Sequence, residues 1–204
     1  MIDLETTGLD AAIDEIISFA TVPIVGGRAR PGDGRYRLVR PRRMPEAKTI
    51  VIHGLRSEEL AVAPALDEVI DELLAAITGR PIVAHVAAIE ERFLRRALAT
   101  ADLELRNPLI DTAKLAAELF ARRDRPVPDS IALTALANEL GLPVHRPHEA
   151  DGDALTTAQV FLALATQLDA YEPQTIGSLV MAGSRAGRWT GLRRAVGSLR
   201  LRRS

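Results

Sequence analysis

The sequence has 204 residues, of which 47% are hydrophobic and 26% are charged, as is usual for a globular domain with one core. It contains no cysteine, which excludes disulfides and thiolate metal sites and leaves carboxylates, histidines and carbonyls as metal ligands. No apolar run is long enough to cross a bilayer, and the amino terminus is acidic where a signal peptide would be basic. We therefore expect a cytoplasmic protein without stable membrane insertion.

The net charge of −1 coexists with an uneven distribution of basic residues. The segment 28–43 has a single acid, Asp33, among many arginines, which predicts a basic surface of the kind that contacts nucleic acid. Its arginines are Arg28, Arg30, Arg35, Arg37, Arg40, Arg42 and Arg43.

Strand and helix patterns alternate along most of the chain. Apolar and β-branched runs predict the strands, and apolar residues at i, i+3, i+4 spacing predict the helices. The predicted strands are 15–25, 35–40, 81–84 and 109–110, and the predicted helices are 64–77, 88–101, 112–121, 130–140 and 151–168. The strands 15–25 and 35–40 are predicted to form a hairpin. The alternation favours an α/β fold with helices packed on a central sheet.

The string from Asp3 to Gly8 carries the strongest functional signal. On a strand, residues i and i+2 point to the same face, so Asp3 and Glu5 project together. Adjacent carboxylates repel each other unless a cation lies between them, which suggests a divalent-metal site. Thr6, Thr7 and Gly8 then turn the chain and offer hydroxyl and backbone N–H groups to a ligand. The alternative interpretation is an acidic turn.

A second string, from His148 to Asp153, precedes the last long helix. A histidine in the entry loop and an aspartate in the first helical turn can reach one pocket, where Asp153 could be a further metal ligand. Histidine side chains titrate near neutral pH, so His148 could take a proton from water. The alternative is an exposed helix start with Asp151 as its N-cap.

Both strings resemble the DEDDh exonucleases, the family that includes the epsilon proofreading subunit of DNA polymerase III, ribonuclease T and oligoribonuclease. The family's D-x-E-T-T-G motif matches Asp3 to Gly8, and its H-x4-D motif matches His148 and Asp153. The resemblance covers residues 1–168 and implies a ribonuclease H-like fold, with a mixed central sheet flanked by helices. Two further segments that look like the family, in the expected order, are Ile52-His53-Gly54-Leu55 and Asp111-Thr112 followed by Leu115.

The middle motif departs from the family. The family usually has H-N-A-x-F-D, whereas residues 85–90 read HVAAIE. Val86 replaces a polar residue near the substrate cleft, and Glu90 replaces Asp with a side chain one methylene longer. Glu90 could still bind a metal, directly or through water; alternatively, it is a solvated helix residue. Because a displacement of about 1 Å can cost on the order of a hundredfold in rate, the motif leaves activity open.

The resemblance implies two-metal hydrolysis of phosphodiesters at a 3′ end, with nucleoside 5′-monophosphates as products. Asp3, Glu5, Glu90 and Asp153 would hold two Mg²⁺ or Mn²⁺ ions about 4 Å apart, and His148 would be the general base.

The resemblance also assigns residues to the substrate. Thr6, Thr7 and Gly8 would bind the terminal nucleotide, and His85 is a weaker candidate for a contact near the scissile phosphate. We expect His53 to be structural and to lie outside the site.

The two ends of the chain depart from this pattern. Only Met1 and Ile2 precede Asp3, so we expect a short first strand, as a misassigned start or a trimmed chain would produce. We predict an exonuclease domain over residues 1–170 and a basic extension over 171–204. The extension is either a mobile tail or a basic amphipathic helix that contacts nucleic acid, an acidic partner or a membrane surface. Its arginines are Arg185, Arg188, Arg193, Arg194, Arg200, Arg202 and Arg203.

The leading hypothesis is a metal-dependent 3′→5′ exonuclease acting on nucleic acid with a free 3′ end, with DNA slightly preferred, beside a polymerase or another replication or repair protein. A second hypothesis is a nuclease that trims RNA. A third is a catalytically weakened member of the fold that binds nucleic acid or a partner without cutting, which the short first strand and the altered middle motif motivate.

Overall fold

The computed structural model describes residues 1–45, 50–51 and 53–184, which form a mixed α/β fold. Within these residues, no helix combines the length and the hydropathy that crossing a membrane requires. The elements in chain order are β1 (Ile2–Thr6), β2 (Ile16–Thr21), β3 (Ile24–Val25), β4 (Arg28–Ala29), β5 (Arg35–Leu38), α1 (Ser57–Ala61), α2 (Leu66–Ile77), β6 (Ile82–Ala84), α3 (Ala88–Ala99), β7 (Leu109–Asp111), α4 (Thr112–Arg122), α5 (Leu133–Glu139), α6 (Ala150–Asp169) and α7 (Ile176–Ser184).

Two groups of strands form the sheet layer. β2 pairs antiparallel with β1 on one side and with β5 on the other. β6 pairs in parallel with β7, and β6 lies beside β1. The β1–β2 register sets Glu5 opposite Ser18 and shifts between Glu5 and Thr6. Strand pairing therefore becomes irregular where β1 runs into the loop that follows it.

Side chains of the strands alternate between two core clusters. On β6, Ile82 and Ala84 belong to a cluster that includes residues of α2 and α3, whereas Val83 belongs to a cluster built by α4, α5, α6 and α7. Successive strand residues point to opposite faces, so helices cover both faces of the sheet. The predicted architecture, a mixed central sheet flanked by helices, is confirmed.

The predicted hairpin forms between β2 and β5, but the strand predicted over 15–25 is interrupted. Pro23 has no N–H to donate to a ladder, and β2 ends before it. A small hairpin of β3 and β4 follows, joined by Gly26 and Gly27, whose φ values of 58° and 73° suit a two-residue turn.

The long amphipathic helices agree with prediction. The helices predicted over 64–77, 88–101, 112–121 and 151–168 correspond to α2, α3, α4 and α6, whereas α5 covers only part of 130–140. The short helices α1 and α7 were not predicted. α7 packs on β7 and α4 with Leu179 buried, so residues 176–184 lie with the domain rather than with the predicted extension. The rest of that extension, residues 185–204, lies outside the described residues.

Several arginines of segment 28–43 are paired with acids, so the predicted basic surface is partly neutralised. Arg37 lies 2.8 Å from Glu72 and Arg40 lies 3.8 Å from Glu68, both acids of α2. Arg42 is paired in the same way with Glu15. These pairs are largely solvent-exposed, so each contributes little to stability, but together they offset part of the positive charge of the segment.

Candidate active site

Three carboxylates from two elements converge at the carboxyl end of β1. Asp3 and Glu5 project from β1 on one face, as the strand period predicts, and Asp153 comes from the first turn of α6. One oxygen of each residue lies within 4.8 Å of the others, and all three side chains are partly buried. Hard oxygen ligands at this spacing suit a divalent cation such as Mg²⁺ or Mn²⁺.

The pKa values of these carboxyl groups are shifted by their surroundings. Burial, followed by the charges of Glu90, Glu5 and Asp153, raises the pKa of Asp3 well above its usual range. Burial and the charge of Asp153 raise the pKa of Glu5 to about 8. Burial raises the pKa of Asp153, while the backbone amide of His148 opposes the shift. A divalent cation would remove this repulsion by neutralising the carboxylates, so the donor set fits a metal.

Glu90 is buried beside this cluster, in the first turn of α3. Its side chain is 6% exposed, and Oε2 has no hydrogen-bond partner within the described part of the chain. Burial, with a contribution from Asp111, raises the pKa of Glu90 to about 8. A solvated helix residue would not behave in this way, so that alternative is wrong. A buried carboxylate oxygen without a partner is what a metal or water ligand would satisfy.

Asp111, which sequence reasoning placed only in a family-like segment, fixes the turn that leads to Glu90. Its Oδ1 accepts hydrogen bonds from the backbone N–H of Val86 at 3.1 Å and of Ala113 at 2.9 Å. The second bond caps α4, and the first ties that helix to the turn before α3. An aspartate directly before a predicted helix was the available signal, but its long-range bond to Val86 could not be read from the sequence.

Val86 occupies a backbone conformation that suits the residue it replaces. Its φ of 58° is in the left-handed region, which asparagine tolerates and a β-branched residue rarely adopts. Asparagine, which the family usually has at this position, would therefore suit this conformation better than Val86 does. Val86 is nevertheless buried, at 8% exposure, in the core cluster of α4 and α6.

His85 has protein partners at both ring nitrogens. Nε2 lies 2.8 Å from the carbonyl oxygen of Ile131, and Nδ1 lies 2.9 Å from the hydroxyl of Thr112. A carbonyl only accepts, so Nε2 donates and Nδ1 accepts, as in a neutral ring. Burial lowers the pKa of His85 to about 4, which agrees with a neutral side chain. This geometry does not support the predicted contact with substrate, since both nitrogens are already used.

The loop after β1 is organised by its own side chains. The Thr6 hydroxyl donates to the Gly8 carbonyl at 2.6 Å, and the Thr7 hydroxyl donates to Asp14 at 3.0 Å. The backbone N–H of Glu15 donates to the Thr7 hydroxyl. A Cβ at position 8 would collide with the Asp14 carboxylate, so that side chain would have to move if Gly8 were replaced. The threonine hydroxyls predicted to bind substrate therefore shape the loop, and Asp14 is a partner that sequence reasoning missed.

The loop that carries His148 is held against the start of α6. The backbone N–H of His148 donates to Asp153 Oδ2 at 2.9 Å, and the φ of His148 is 65°. A Cβ on Gly152 would collide with the carbonyl oxygens of His145 and Arg146, so glycine allows the loop to cross the helix there. The backbone of His148, whose side chain is exposed, is thus tied to one of the converging carboxylates.

A pocket of about 280 Å³ opens beside Glu5. Two of its polar lining residues, Ser18 and His53, are buried, and Ser18 Oγ and His53 Nε2 have no hydrogen-bond partner among the described residues. His53 Nδ1 accepts a hydrogen bond from the Leu55 backbone N–H at 3.0 Å. His53 was predicted to lie outside the site, but it borders this pocket; Ile52 before it lies outside the described residues. Tyr36, on β5, forms part of the wall and is 40% exposed.

Known proteins match this chain over most of its length. The family model described as exonuclease matches residues 1–161. A DNA polymerase III subunit epsilon-like protein of Rhodobacter capsulatus is 35% identical over 189 residues, 91% of this chain and 26% of that protein. A PolC-type DNA polymerase III of Thermotoga maritima is 38% identical over 163 residues, 79% of this chain and 11% of that protein. The chain thus spans about a quarter and about a tenth of the length of these two relatives.

Solved structures share the fold. Exonuclease X in complex with 5′-overhanging duplex DNA matches with a TM-score of 0.69 and 24% identity, over 90% of this chain and 98% of that one. The nuclease domain of 3′hExo, a DEDDh family member bound to rAMP, matches with a TM-score of 0.66 and 16% identity, over 85% and 92% of the two chains. The resemblance predicted from the two motif strings is confirmed, and this chain belongs to the exonuclease family.

Proposed function

We propose that this chain is a divalent-metal-dependent 3′→5′ exonuclease that releases nucleoside 5′-monophosphates from DNA. The observation that carries the proposal is the convergence of Asp3, Glu5 and Asp153 within 4.8 Å, with buried Glu90 beside them. Four carboxyl groups in one partly buried site oppose folding unless a cation neutralises them. Such an arrangement is typical of a functional metal site rather than of a structural element.

Asp3, Glu5, Asp153 and Glu90 would hold two ions, Mg²⁺ or Mn²⁺. When bound, such ions polarise the scissile phosphate and lower the pKa of a bound water. Glu90 has one methylene more than aspartate, and its Oε2 is free of hydrogen bonds within the described residues, so it can supply a carboxylate oxygen. The fixed turn at Val86 and Asp111 holds the start of α3, and with it Glu90.

His148 is the proposed general base. A backbone hydrogen bond joins its loop to Asp153, so the loop that bears the imidazole is attached to a proposed metal ligand. Exposure leaves the ring free to rotate toward an attacking water and to pass the proton on to solvent.

The pocket beside Glu5 is the proposed site of the 3′-terminal nucleoside. It offers a hydroxyl, an imidazole nitrogen and an aromatic ring, from Ser18, His53 and Tyr36. The first two can form hydrogen bonds that the described residues leave unmade, and an aromatic ring can stack on a base. Thr6, Thr7 and Gly8 would present their backbone at the mouth of the same region.

DNA is the preferred substrate in this proposal because relatives of the chain are named as DNA polymerase III subunits, and one structural neighbour is in complex with DNA. The same names support a polymerase as a partner. Trimming of RNA is the second candidate, since another neighbour is bound to rAMP. The altered residues Val86 and Glu90 favour a third, a member of the family that binds a 3′ end without cutting it.

The test uses 5′-labelled oligonucleotides, single-stranded and 3′-recessed, as DNA and as RNA. The full chain is incubated with Mg²⁺, Mn²⁺ or chelator, beside Asp153→Ala and a control variant, Glu104→Ala, in which an exposed acid is removed. The proposal expects a ladder that shortens from the 3′ end of DNA with metal, is absent with Asp153→Ala and is unchanged with Glu104→Ala. Faster shortening of RNA would select the second candidate, and strand binding with an intact band in every lane would select the third.

A further inference from the structure

An arginine of α3 ties down the loop between β1 and β2, residues 7–15. Nη1 of Arg96 donates hydrogen bonds to the backbone carbonyls of Ala11 at 2.7 Å and of Asp14 at 2.9 Å. Arg96 is half-buried in the last turn of α3, and its two partners lie 85 and 82 residues away along the chain. Because a guanidinium stays charged and its N–H groups have fixed directions, it can hold both carbonyls in one arrangement.

Asp14 links this restraint to the residues that follow β1. Its carboxylate accepts hydrogen bonds from the Thr7 hydroxyl at 3.0 Å and from the Asp10 N–H at 2.9 Å, and it lies against Gly8. The Thr7 N–H donates to the Glu15 carbonyl at 2.9 Å. A shift of the backbone at Asp14 would therefore displace Thr7 and Gly8.

Arg96 and Glu90 lie near opposite ends of α3. Between them, Phe93 and Leu94 are buried in a core cluster that also contains Ile2 of β1. These apolar contacts hold α3 against β1, and Arg96 adds a polar contact with the loop that follows β1. One helix thus supports both a proposed metal ligand and the loop beside the other carboxylates.

We infer that Arg96 is a positioning residue for the substrate: by fixing the loop 7–15, it holds the backbone of Thr7 and Gly8 where the 3′-terminal nucleotide binds. The inference rests on the proposed function, which assigns these two residues to the mouth of the nucleotide pocket. Arg96 itself does not line that pocket, so it acts through the loop.

The position of the loop should affect binding of the strand more than the chemical step. Asp3 and Glu5 lie on β1, whose pairing with β2 does not depend on Arg96. Loss of the Arg96 hydrogen bonds should therefore leave the carboxylates in place while the loop shifts. A change that weakens binding of substrate and transition state alike raises KM and leaves kcat nearly unchanged.

The test compares two substitutions of Arg96 in the full chain. Arg96→Met keeps an unbranched side chain but removes the N–H donors, whereas Arg96→Lys keeps a charged donor. Arg95→Met is the matched control, because Arg95 lies on the same helix and its Nη1 also donates to a backbone carbonyl, that of Leu105 at 3.3 Å, away from the loop.

KM and kcat are measured on 5′-labelled single-stranded DNA with Mg²⁺, and strand binding is measured by fluorescence anisotropy with Ca²⁺ in its place. Arg96→Met is expected to raise KM and the dissociation constant at least about tenfold and to lower kcat less than about threefold. Arg96→Lys should recover most of this loss. Arg95→Met should leave KM, kcat and the dissociation constant unchanged.

Hydrogen exchange of the Asp14 amide reports on the loop independently of activity. This N–H donates to the Asp10 carbonyl at 2.7 Å within the loop. Arg96→Met is expected to speed its exchange at least about tenfold without changing exchange at Phe19, in the buried strand β2.

Unchanged KM and strand binding in Arg96→Met, or equal losses in Arg96→Met and Arg95→Met, would overturn the inference. So would a loss of kcat and of the unfolding midpoint without a change in KM, which is what a structural role alone would give. Failure of the proposed function is a different result. A chain that binds the strand without shortening it would leave the anisotropy comparison to decide the role of Arg96, and a chain that does neither would overturn both.

Discussion

The two ends of β1 have opposite physical characters. At its carboxyl end, Asp3 and Glu5 crowd against Asp153, and burial and mutual repulsion raise their pKa values. At its amino end, Met1 and Ile2 line an apolar cavity. One strand of five residues thus separates a cluster of carboxylates from an apolar cavity. Changes at the first end should alter activity and stability in opposite directions, whereas changes at the second should alter stability alone.

Removing one converging carboxylate has the largest expected effect. Asp3→Asn should lower the exonuclease rate by more than about a hundredfold, because even the loss of an outer partner of a metal ligand costs 10- to 100-fold. The same variant should unfold at a higher temperature without metal, because a buried repulsive charge has been removed. Both quantities are measured beside Glu104→Gln, an exposed control that should change neither. A variant with lower stability and full activity would contradict the account.

Separating the His148 loop from α6 should have the next largest effect on the exonuclease rate. Gly152→Ala would push the loop away from the helix, and a displacement of about 1 Å can lower the rate on the order of a hundredfold. Gly177→Ala is the matched control, since a Cβ there meets only the Thr175 hydroxyl at 3.6 Å. Rates and circular dichroism are compared for the two variants. Equal rates would show that the position of His148 does not matter.

Because of the carboxyl groups at the carboxyl end of β1, the metal-free protein should become less stable as the pH rises. The pKa values of Glu5 and Glu90 are raised to about 8, so the folded state binds more protons than the unfolded state between about pH 4.5 and 8. Stability therefore falls across this window and levels off above it. The unfolding midpoint in chelator should be lower at pH 8 than at pH 5 by about 5 °C or more. Glu90→Gln should reduce the dependence of the unfolding midpoint on pH. An unchanged dependence would contradict the raised pKa of Glu90.

Much of the fold and of the carboxylate cluster was predictable from local sequence. The strand period alone placed Asp3 and Glu5 on one face, and helical spacing located α2, α3, α4 and α6. Burial of Glu90 was not predictable, because a charged residue in a first helical turn is usually exposed. The contacts of Asp111 with Val86 and of Gly8 with Asp14 were missed for another reason: they join segments that periodicity treats separately. The short α7 gave too few turns for a pattern to be recognised.

Relieving the strain in the turn before α3 should have the smallest effect, a difference in the unfolding midpoint. Val86 and Val83 are both buried, but only Val86 has positive φ. A left-handed conformation costs an ordinary residue about 1–2 kcal/mol, and asparagine tolerates it better. Val86→Asn should therefore lower the unfolding midpoint by roughly 4 °C less than Val83→Asn, since both lose apolar burial but only the first relieves strain. Equal losses in thermal unfolding would mean that the turn stores no such strain.

We propose that the carboxylates at the end of β1 form a cation site whose repulsion a divalent metal relieves. Calorimetric titration of Mn²⁺ into the full chain at pH 6 and pH 8, beside Asp3→Asn, tests it most directly. Because the cation competes with protons for Glu5 and Glu90, affinity should rise at least about tenfold between these pH values and be lost in the variant. Affinity that is independent of pH, or unchanged in Asp3→Asn, would contradict the claim.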